Sequence, residues 1–351
     1  MFLKNLSLIN FRNYSQLDLQ FDHRPTILVG NNAAGKSNLL ESIYLLSTTK
    51  SQRVDNEDEL ILDQQEFTRV EGFVSNGEET ELLIIINKPT EQVKFRKRVL
   101  VNGISRRGVD FIGHLPAVIF YPSDINMVTG SPSLRRWHLD LGLAQIDAQY
   151  KKTLTIYEQF LIARNRVLKR IREGVSKVME LDYWTGELVK YAAVISSKRV
   201  EFFNFVNNLQ TPLGEFNFKY IQSSLSVDRL RETNGREVAA AATLIGPHRD
   251  DFEILLGKRN LAHFGSRGEQ RTATLAFKLA QLEYMAKILG KRPTLLLDDV
   301  FSELDADHRA HVVEIVSKQQ TIIATVELEN IPKSFLDQAR ILRVENGQVI
   351  S

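Results

Sequence analysis

Residues 30–37 read Gly-Asn-Asn-Ala-Ala-Gly-Lys-Ser, a complete G-x-x-x-x-G-K-[ST] loop. Its flanks are those such a loop requires. The apolar run Thr26-Ile27-Leu28-Val29 precedes it as a strand, and Leu39, Leu40, Ile43, Tyr44 and Leu46 follow at the spacing of an amphipathic helix. A strand, a glycine-rich turn and a helix N-terminus aim several backbone N–H groups at one point, which makes an anion site. In this arrangement Gly30, Asn31, Asn32, Ala33, Ala34 and Gly35 cradle phosphates, Lys36 reaches the β- and γ-phosphates, and Ser37 holds Mg²⁺. The cofactors expected are ATP and Mg²⁺, on an α/β fold.

The chain has 351 residues, 43% of them apolar, enough for one large or two ordinary domains. Net charge is +2 and says little, but its distribution is uneven. Residues 51–81 are acidic, whereas 88–110 and 151–172 are basic. Arg96, Lys97 and Arg98 in one basic stretch, and Arg166, Lys169 and Arg170 in the other, are candidate contacts to a polyanion, since clustered cations are the footprint of such a partner. Solvated helix faces carry the same composition. Phe95, beside Lys94 and Arg96, could stack a base, but strand alternation turns it toward the core. Cysteine is absent, which excludes disulfides and thiolate metal sites. The N-terminus has no apolar core of signal-peptide length, and no run approaches the roughly 18 apolar residues of a membrane span. A cytoplasmic protein without a membrane partner is expected.

Alternation predicts strands at Leu3–Ile9 and Leu17–Phe21 before the loop, and three more over 67–74, 81–87 and 95–101, parted by Asn76-Gly77, Lys88-Pro89 and Asn102-Gly103. They form an antiparallel sheet beside the nucleotide core. Residues 133–209 carry helical periodicity, with Leu154, Tyr157, Leu161, Leu168 and Ile171 on a stripe that Arg164 interrupts. Strand character returns near 243. The expected division is an N-terminal part of the nucleotide fold at 1–123, a mainly helical lobe at 124–242, and a C-terminal part at 243–351.

The C-terminal part carries what the loop lacks. Thr294-Leu295-Leu296-Leu297-Asp298-Asp299 reads as a buried parallel strand ending in two carboxylates. Asp298 would hold Mg²⁺ opposite Ser37, and Asp299 would orient or deprotonate the attacking water. Upstream, Ser266-Arg267-Gly268-Glu269-Gln270 opens an amphipathic helix. Ser266 with Glu269 fits a capping box. The same Ser hydroxyl, Gly268 N–H and helix end can also bind a phosphate. One chain cannot easily bring this helix end and its own loop to the same γ-phosphate, whereas two chains head to tail can. The reading is therefore an ATP-dependent homodimer with Ser266 and Gly268 acting in trans.

These motifs together resemble the ABC-type ATPase heads of the SMC family, and within it the RecF family. The resemblance rests on the phosphate loop, the S-x-G-E-Q signature, Leu-Leu-Leu-Asp-Asp, and Ser302-Glu303-Leu304-Asp305. It also rests on Phe11-Arg12-Asn13-Tyr14, the segment from Pro122-Ser123-Asp124 through Arg135-Arg136-Trp137-His138-Leu139-Asp140, and Gly246-Pro247-His248-Arg249-Asp250-Asp251. It covers nearly the whole chain. It implies an SMC-type P-loop head split by an inserted second lobe, Arg12 at the ATP, Gln270 in the signature, and Asp305 in the D-loop. It further implies an ATP- and DNA-binding protein of replication and recombinational repair, dimerising with ATP, working with RecO and RecR, and supporting recombinase loading at gaps and the SOS response.

Three departures from the wider pattern matter. Asp299 stands where many ABC ATPases carry Glu; its shorter side chain sits farther from the water, so a weak, DNA-stimulated ATPase with a mainly ATP-gated binding role is expected. The strand 321–325 ends in Thr325-Val326, with no γ-phosphate-sensing His. Gln52-Arg53 replaces the His-Arg common in the RecF family, and Gln52 is a candidate γ-phosphate or water sensor. A transporter ATPase subunit is the alternative, opposed by the missing His and the wide gap between Lys36 and Asp298. The helical stretch is too short for the arms of a long SMC protein.

Overall fold

The computed structural model describes residues 2–89, 95–210, 213–304 and 306–350. They form two compact units. One comprises Met1–Ile125 and Arg267–Ser351 with the short Thr211–Gly214 segment; the other comprises Asn126–Gln210 and Glu215–Ser266.

The first unit opens with β1 (Phe2–Phe11) and β2 (Tyr14–Gln20), joined by a two-residue turn in which Arg12 takes φ +53°. Next come β3 (Thr26–Val29), which feeds the phosphate loop, and α1 (Lys36–Thr48). The strands β4 (Phe67–Asn76), β5 (Glu78–Asn87), β6 (Lys97–Val101) and β7 (Ile104–Arg106) follow, then β8 (Ala117–Phe120). The antiparallel sheet expected from alternation runs β2-β1-β4-β5-β6-β7. Phe95 breaks its expectation: it is half exposed, with the Arg98 guanidinium 5.8 Å from its ring centre.

The second unit carries three long helices in succession, α2 (Pro132–Ile146), α3 (Ala148–Arg172) and α4 (Leu181–Asn208). Strand β9 (Phe216–Ile221), helix α5 (Val227–Ala240) and strands β10 (Asp251–Leu256) and β11 (Arg259–Asn260) complete it. The unit therefore runs to Ser266, past the boundary expected at 242. The physical reason is strand pairing: β10 lies antiparallel to β9 along its whole length, from Asp251 opposite Ile221 to Leu256 opposite Phe216. The lobe is mainly helical but carries its own three-stranded sheet.

The same unit explains two of the family motifs. Arg199, 1% exposed, donates to Asp140 at 2.7 Å, to Asp250 at 2.7 Å and to the Pro247 carbonyl at 2.7 Å. Tyr220 donates to Asp250 as well, and the Ser223 N–H closes on its other oxygen at 2.7 Å. Arg135 clamps Asp251 through two bonds, at 2.6 and 2.9 Å, and Arg136 donates to the Asp250 carbonyl. The Arg-Arg…Asp and Gly-Pro-His-Arg-Asp-Asp motifs are thus two halves of one buried polar network. A buried charge is tolerable only when paired and hydrogen-bonded on all sides, so these residues specify one packing. Arg164, the break in the apolar stripe, has the same logic: it is 1% exposed and donates to Glu237 at 2.7 Å and to Thr185 and Thr243.

The chain returns to the first unit with α6 (Arg267–Leu289), β12 (Thr294–Asp298), α7 (Ala306–Val316), β13 (Thr321–Thr325), β14 (Arg340–Glu345) and β15 (Gln348–Ile350). These strands join β3 and β8 in one sheet of order β15-β14-β3-β13-β12-β8. From β14 to β8 the neighbours are parallel. β12 and β13 are buried throughout, as strands covered on both faces must be. Helix α1 is wedged between β8, β12 and β13 of this sheet and β1, β4 and β5 of the other. It is therefore buried nearly all round, Glu41, Ser42 and Ser47 included, rather than on one face as its apolar spacing predicts. Leu39, Leu40, Ile43, Leu45 and Leu46 are fully buried, and each stabilises the packing by about 1.5–3 kcal/mol.

Candidate functional site

The phosphate loop lies at the C-terminal end of β3, where the parallel strands β13 and β14 flank it on either side. A Cβ at Gly30 would stand 2.2 Å from the Val344 carbonyl oxygen, so β14 forces glycine there. Gly35 takes φ +120° with Asn13 and Tyr14 against it, a conformation an L side chain rarely adopts.

The Phe11-Arg12-Asn13-Tyr14 segment buttresses this loop. Asn13 donates to the Ala34 carbonyl at 3.0 Å and accepts from Asn38 at 2.8 Å; Tyr14 donates to the Gly35 carbonyl at 3.0 Å. Arg12 forks onto Glu41 of α1 at 2.9 and 3.0 Å and reaches the Glu59 carbonyl. In this geometry its guanidinium is paired with Glu41, at the base of the phosphate loop's helix.

Lys36 donates to the carbonyls of Gly30 and Asn31, at 2.8 and 2.9 Å. It curls over its own loop, where an incoming phosphate oxygen would replace those carbonyls. Burial lowers its pKa, against the pull of Asp298 and Asp299. Ser37 Oγ donates to Asp298 Oδ1 at 3.0 Å. The last residue of β12 thereby meets the first turn of α1, although β13 intervenes between β12 and β3 in the sheet. Burial raises the Asp298 pKa; the Ser37 hydrogen bond, Arg53 and Lys36 oppose the rise. Asp299 follows in left-handed conformation, φ +51°, with its N–H on the Ala324 carbonyl at 2.9 Å. Both carboxylates act electrostatically on Lys36. A cavity of about 550 Å³ lies against the loop, bounded by Val29 to Ala34, Val326 and the end of β14.

Among the described residues no cluster of three or more His, Cys, Asp or Glu is placed to hold a metal. The oxygen set of Ser37 and Asp298 nevertheless fits Mg²⁺, a cation that takes one or two protein ligands and completes its shell with phosphate and water. Gln52 stands beside Arg53, which acts on the Asp298 carboxylate. Its Oε1 is shut off from solvent and has no hydrogen-bond partner, while its Nε2 donates to Asp124 at 3.4 Å. Its neighbours fix it in place: Ser51 Oγ and Arg53 Nη1 both donate to Glu41, at 2.5 and 2.9 Å.

The signature residues open α6. Ser266, Arg267 and Gly268 are exposed, and a Cβ at Gly268 would meet nothing within 4 Å. Asp305 and Lys94 lie outside the described residues. Of the candidate DNA contacts, Arg166, Lys169 and Arg170 are exposed on the last turns of α3. Arg96 and Lys97 are committed elsewhere. Arg96 pairs with Asp58 at 3.3 Å, and Lys97 with Glu57 and the Thr49 carbonyl. The acidic and basic stretches, separate in sequence, neutralise one another here. Arg98 stays exposed.

The strand order, the loop and the strand-end acid define a P-loop ATPase head, and comparisons with known proteins agree. The family model for the RecF/RecN/SMC N terminal domain matches residues 2–349. The DNA replication and repair protein RecF of Bacillus velezensis is 34% identical over 378 residues, covering 100% of both chains. A solved structure of the recombination mediator protein RecF with ATP, in the RecFOR pathway, superposes with a TM-score of 0.88 at 29% identity over 99% of this chain and 97% of that one. The Smc head domain derived from Pyrococcus furiosus shares the fold, with a TM-score of 0.54 and 16% identity over 99% and 96% of the two chains. The chain belongs to the RecF family of DNA replication and repair proteins.

Proposed function

We propose that this chain is an ATP-gated DNA-binding head that closes head to tail on a second copy of itself and opens after slow hydrolysis. The observation that carries the nucleotide part is the Ser37–Asp298 hydrogen bond. It unites a phosphate loop with the strand-end acid that such a loop needs. Lys36 exchanges its loop carbonyls for β- and γ-phosphate oxygens, and the loop N–H groups hold the rest of the anion. Ser37 and Asp298 hold Mg²⁺, and Gln52 Oε1 is free to accept from its water shell. Bound there, Mg²⁺ would supply positive charge to the transferred phosphoryl group. Asp299 orients the water, and its short side chain keeps turnover slow.

The dimer reading is supported by Gly268. Gly30 and Gly35 have reasons within the chain, whereas Gly268 faces open space. Glycine there makes sense when another molecule approaches the backbone closely, as a phosphate held by a second copy would. The family resemblance adds RecO and RecR as partners and gapped or single-stranded DNA as the substrate surface. Among the described residues no helix is long and apolar enough to cross a membrane.

The test is ATP turnover with and without DNA, read beside a sizing column, with competition among gapped, duplex and single-stranded DNA. Nucleotide-dependent dimerisation and DNA-stimulated turnover support the reading. A monomer that hydrolyses ATP at the same rate with or without DNA overturns it.

A further inference from the structure

The segment Pro122-Ser123-Asp124 belongs to a family motif whose second half lies in the buried network of the other unit. Its first half has a different task. Asp124 is 3% exposed and forms an ion pair at 3.2 Å with Lys278, itself 3% exposed, on the helix α6 that begins at the signature. Asp124 Oδ2 accepts the Tyr121 N–H at 3.0 Å, and Oδ1 accepts Gln52 Nε2 at 3.4 Å. Gln52 therefore meets a carboxylate, which can only accept. Its amide must turn its NH₂ toward Asp124 and leave Oε1 as the open acceptor, which is the buried oxygen found without a partner.

We propose that Asp124 is a positioning residue for Gln52: it fixes which end of the amide serves the nucleotide site and, through Lys278, ties that choice to the signature helix. The side chains of the residues on either side of Gln52, Ser51 and Arg53, are already tied to α1 through Glu41. Only rotation and flip of the side chain remain open, and Asp124 removes both. Arg53, the next residue, stands close enough to Asp298 to lower its pKa, so this segment borders the phosphate site. Any shift of α6 when the signature engages a second copy moves Lys278, hence Asp124, hence the amide. The inference rests on the reading of Gln52 as the residue that meets the cation or the attacking water.

Asp124→Asn is the informative change. Its own NH₂ group can face Gln52, so the glutamine flips and presents Nε2 to the site instead of Oε1. Single-turnover hydrolysis with DNA should fall about tenfold or more, while ATP affinity stays within about twofold. Removing one partner of a buried pair destabilises, so Asp124→Asn combined with Lys278→Met is measured alongside. That pair is neutral and should recover the melting temperature without recovering turnover. The decisive comparison adds Gln52→Ala. If Asp124 acts through Gln52, then Gln52→Ala with Asp124→Asn is as slow as Gln52→Ala alone. Effects that multiply, or turnover restored by Lys278→Met, overturn the inference and leave Asp124 a purely structural ion-pair partner. Wild-type turnover in Gln52→Ala overturns the reading of Gln52, and the inference with it. A slow Gln52→Ala beside a normal Asp124→Asn removes the inference alone.

Discussion

Ser37 Oγ lies 3.0 Å from Asp298 Oδ1, although 261 positions separate the two residues in the chain. The contact makes the neighbouring carboxylates separable by experiment. Asp298 is buried and bonded to Ser37, whereas Asp299 is half-buried in left-handed conformation and makes no such bond among the described contacts. Asp298→Asn should weaken Mg·ATP binding by about 1.5–3 kcal/mol, the range for a hydrogen bond to a charged group. Asp299→Asn should bind ATP normally, since Asn tolerates φ near +51°, and should accumulate the closed dimer. Lys36→Ala should lose ATP affinity with the fold intact, because its ammonium bonds only two loop carbonyls. Calorimetry with ATP and a sizing column separate the three. An Asp299→Asn protein that turns over at the wild-type rate removes the assignment of the water to Asp299.

The exposed signature allows a complementation experiment. Ser266→Arg places bulk at a surface position, so a single chain should bind ATP almost normally yet fail to dimerise. Lys36→Ala fails for the opposite reason. A mixed dimer of the two variants pairs one intact phosphate loop with one intact signature. In a head-to-tail arrangement these face each other, and one working site returns. Turnover of the mixture should exceed that of either variant alone; if mixing recovers nothing, the head-to-tail model is wrong.

Much of this site was readable along the chain because its parts are local. The loop, its strand and its helix occupy 26–48, and three successive leucines ending in acid suffice to predict β12. What stayed hidden depends on partners distant in sequence. No spacing announces that β10 pairs with β9, so sequence pattern alone ends the second unit at 242. Arg199 reads as one more helical cation until Asp140 and Asp250 close on it. Lys97 counts as a free charge in a basic stretch until Glu57 meets it. Gln52 stands out as a departure from a family pattern, but nothing along the chain connects Asp124 to it. The sign of a charge is visible in sequence; whether another residue cancels it is a property of the fold.

His248 makes the second unit sensitive to acid. Its Nε2 faces the Thr243 carbonyl at 3.0 Å and must donate, so Nδ1 accepts from the Tyr157 hydroxyl at 2.6 Å. The ring is held neutral in one tautomer. Burial, with Arg249, Arg136 and Arg199 nearby, lowers its pKa to about 4. The unfolded chain protonates near 6.5, so between pH 6.5 and about 4 it binds a proton that the folded unit refuses. Stability is full above pH 6.5 and falls with pH through this window, by up to about 3 kcal/mol. Both tryptophans, Trp137 and Trp184, lie in this unit, so their fluorescence reports its unfolding. Urea midpoints should drop from pH 7 to pH 4.5, and His248→Gln should flatten the decline. An equal decline in both proteins would assign the acid sensitivity to other groups.

The proposed DNA binding places a contact on α3 of the second unit. Arg166, Lys169 and Arg170 share one exposed face of α3 by their i, i+3, i+4 spacing, and the only ion pair near them is Lys169 with Glu173 at 4.0 Å among the described residues. Each cation that meets a phosphate releases counterions, and the log–log salt slope steepens by about 0.9 per contact on duplex DNA. Replacing all three with Gln should flatten the slope by about 2–3 per protomer engaged, with ATP binding unchanged. Lys97 offers the contrast within the same chain. It is spent on Glu57, and burial lowers its pKa. Lys97→Met should therefore cost stability and leave the slope alone. The competing account is that the α3 cations only complement the helix C-terminus and keep that face solvated. Titrations over a salt series with ATP present decide between the two: an unchanged slope in the triple variant moves the DNA contact off α3.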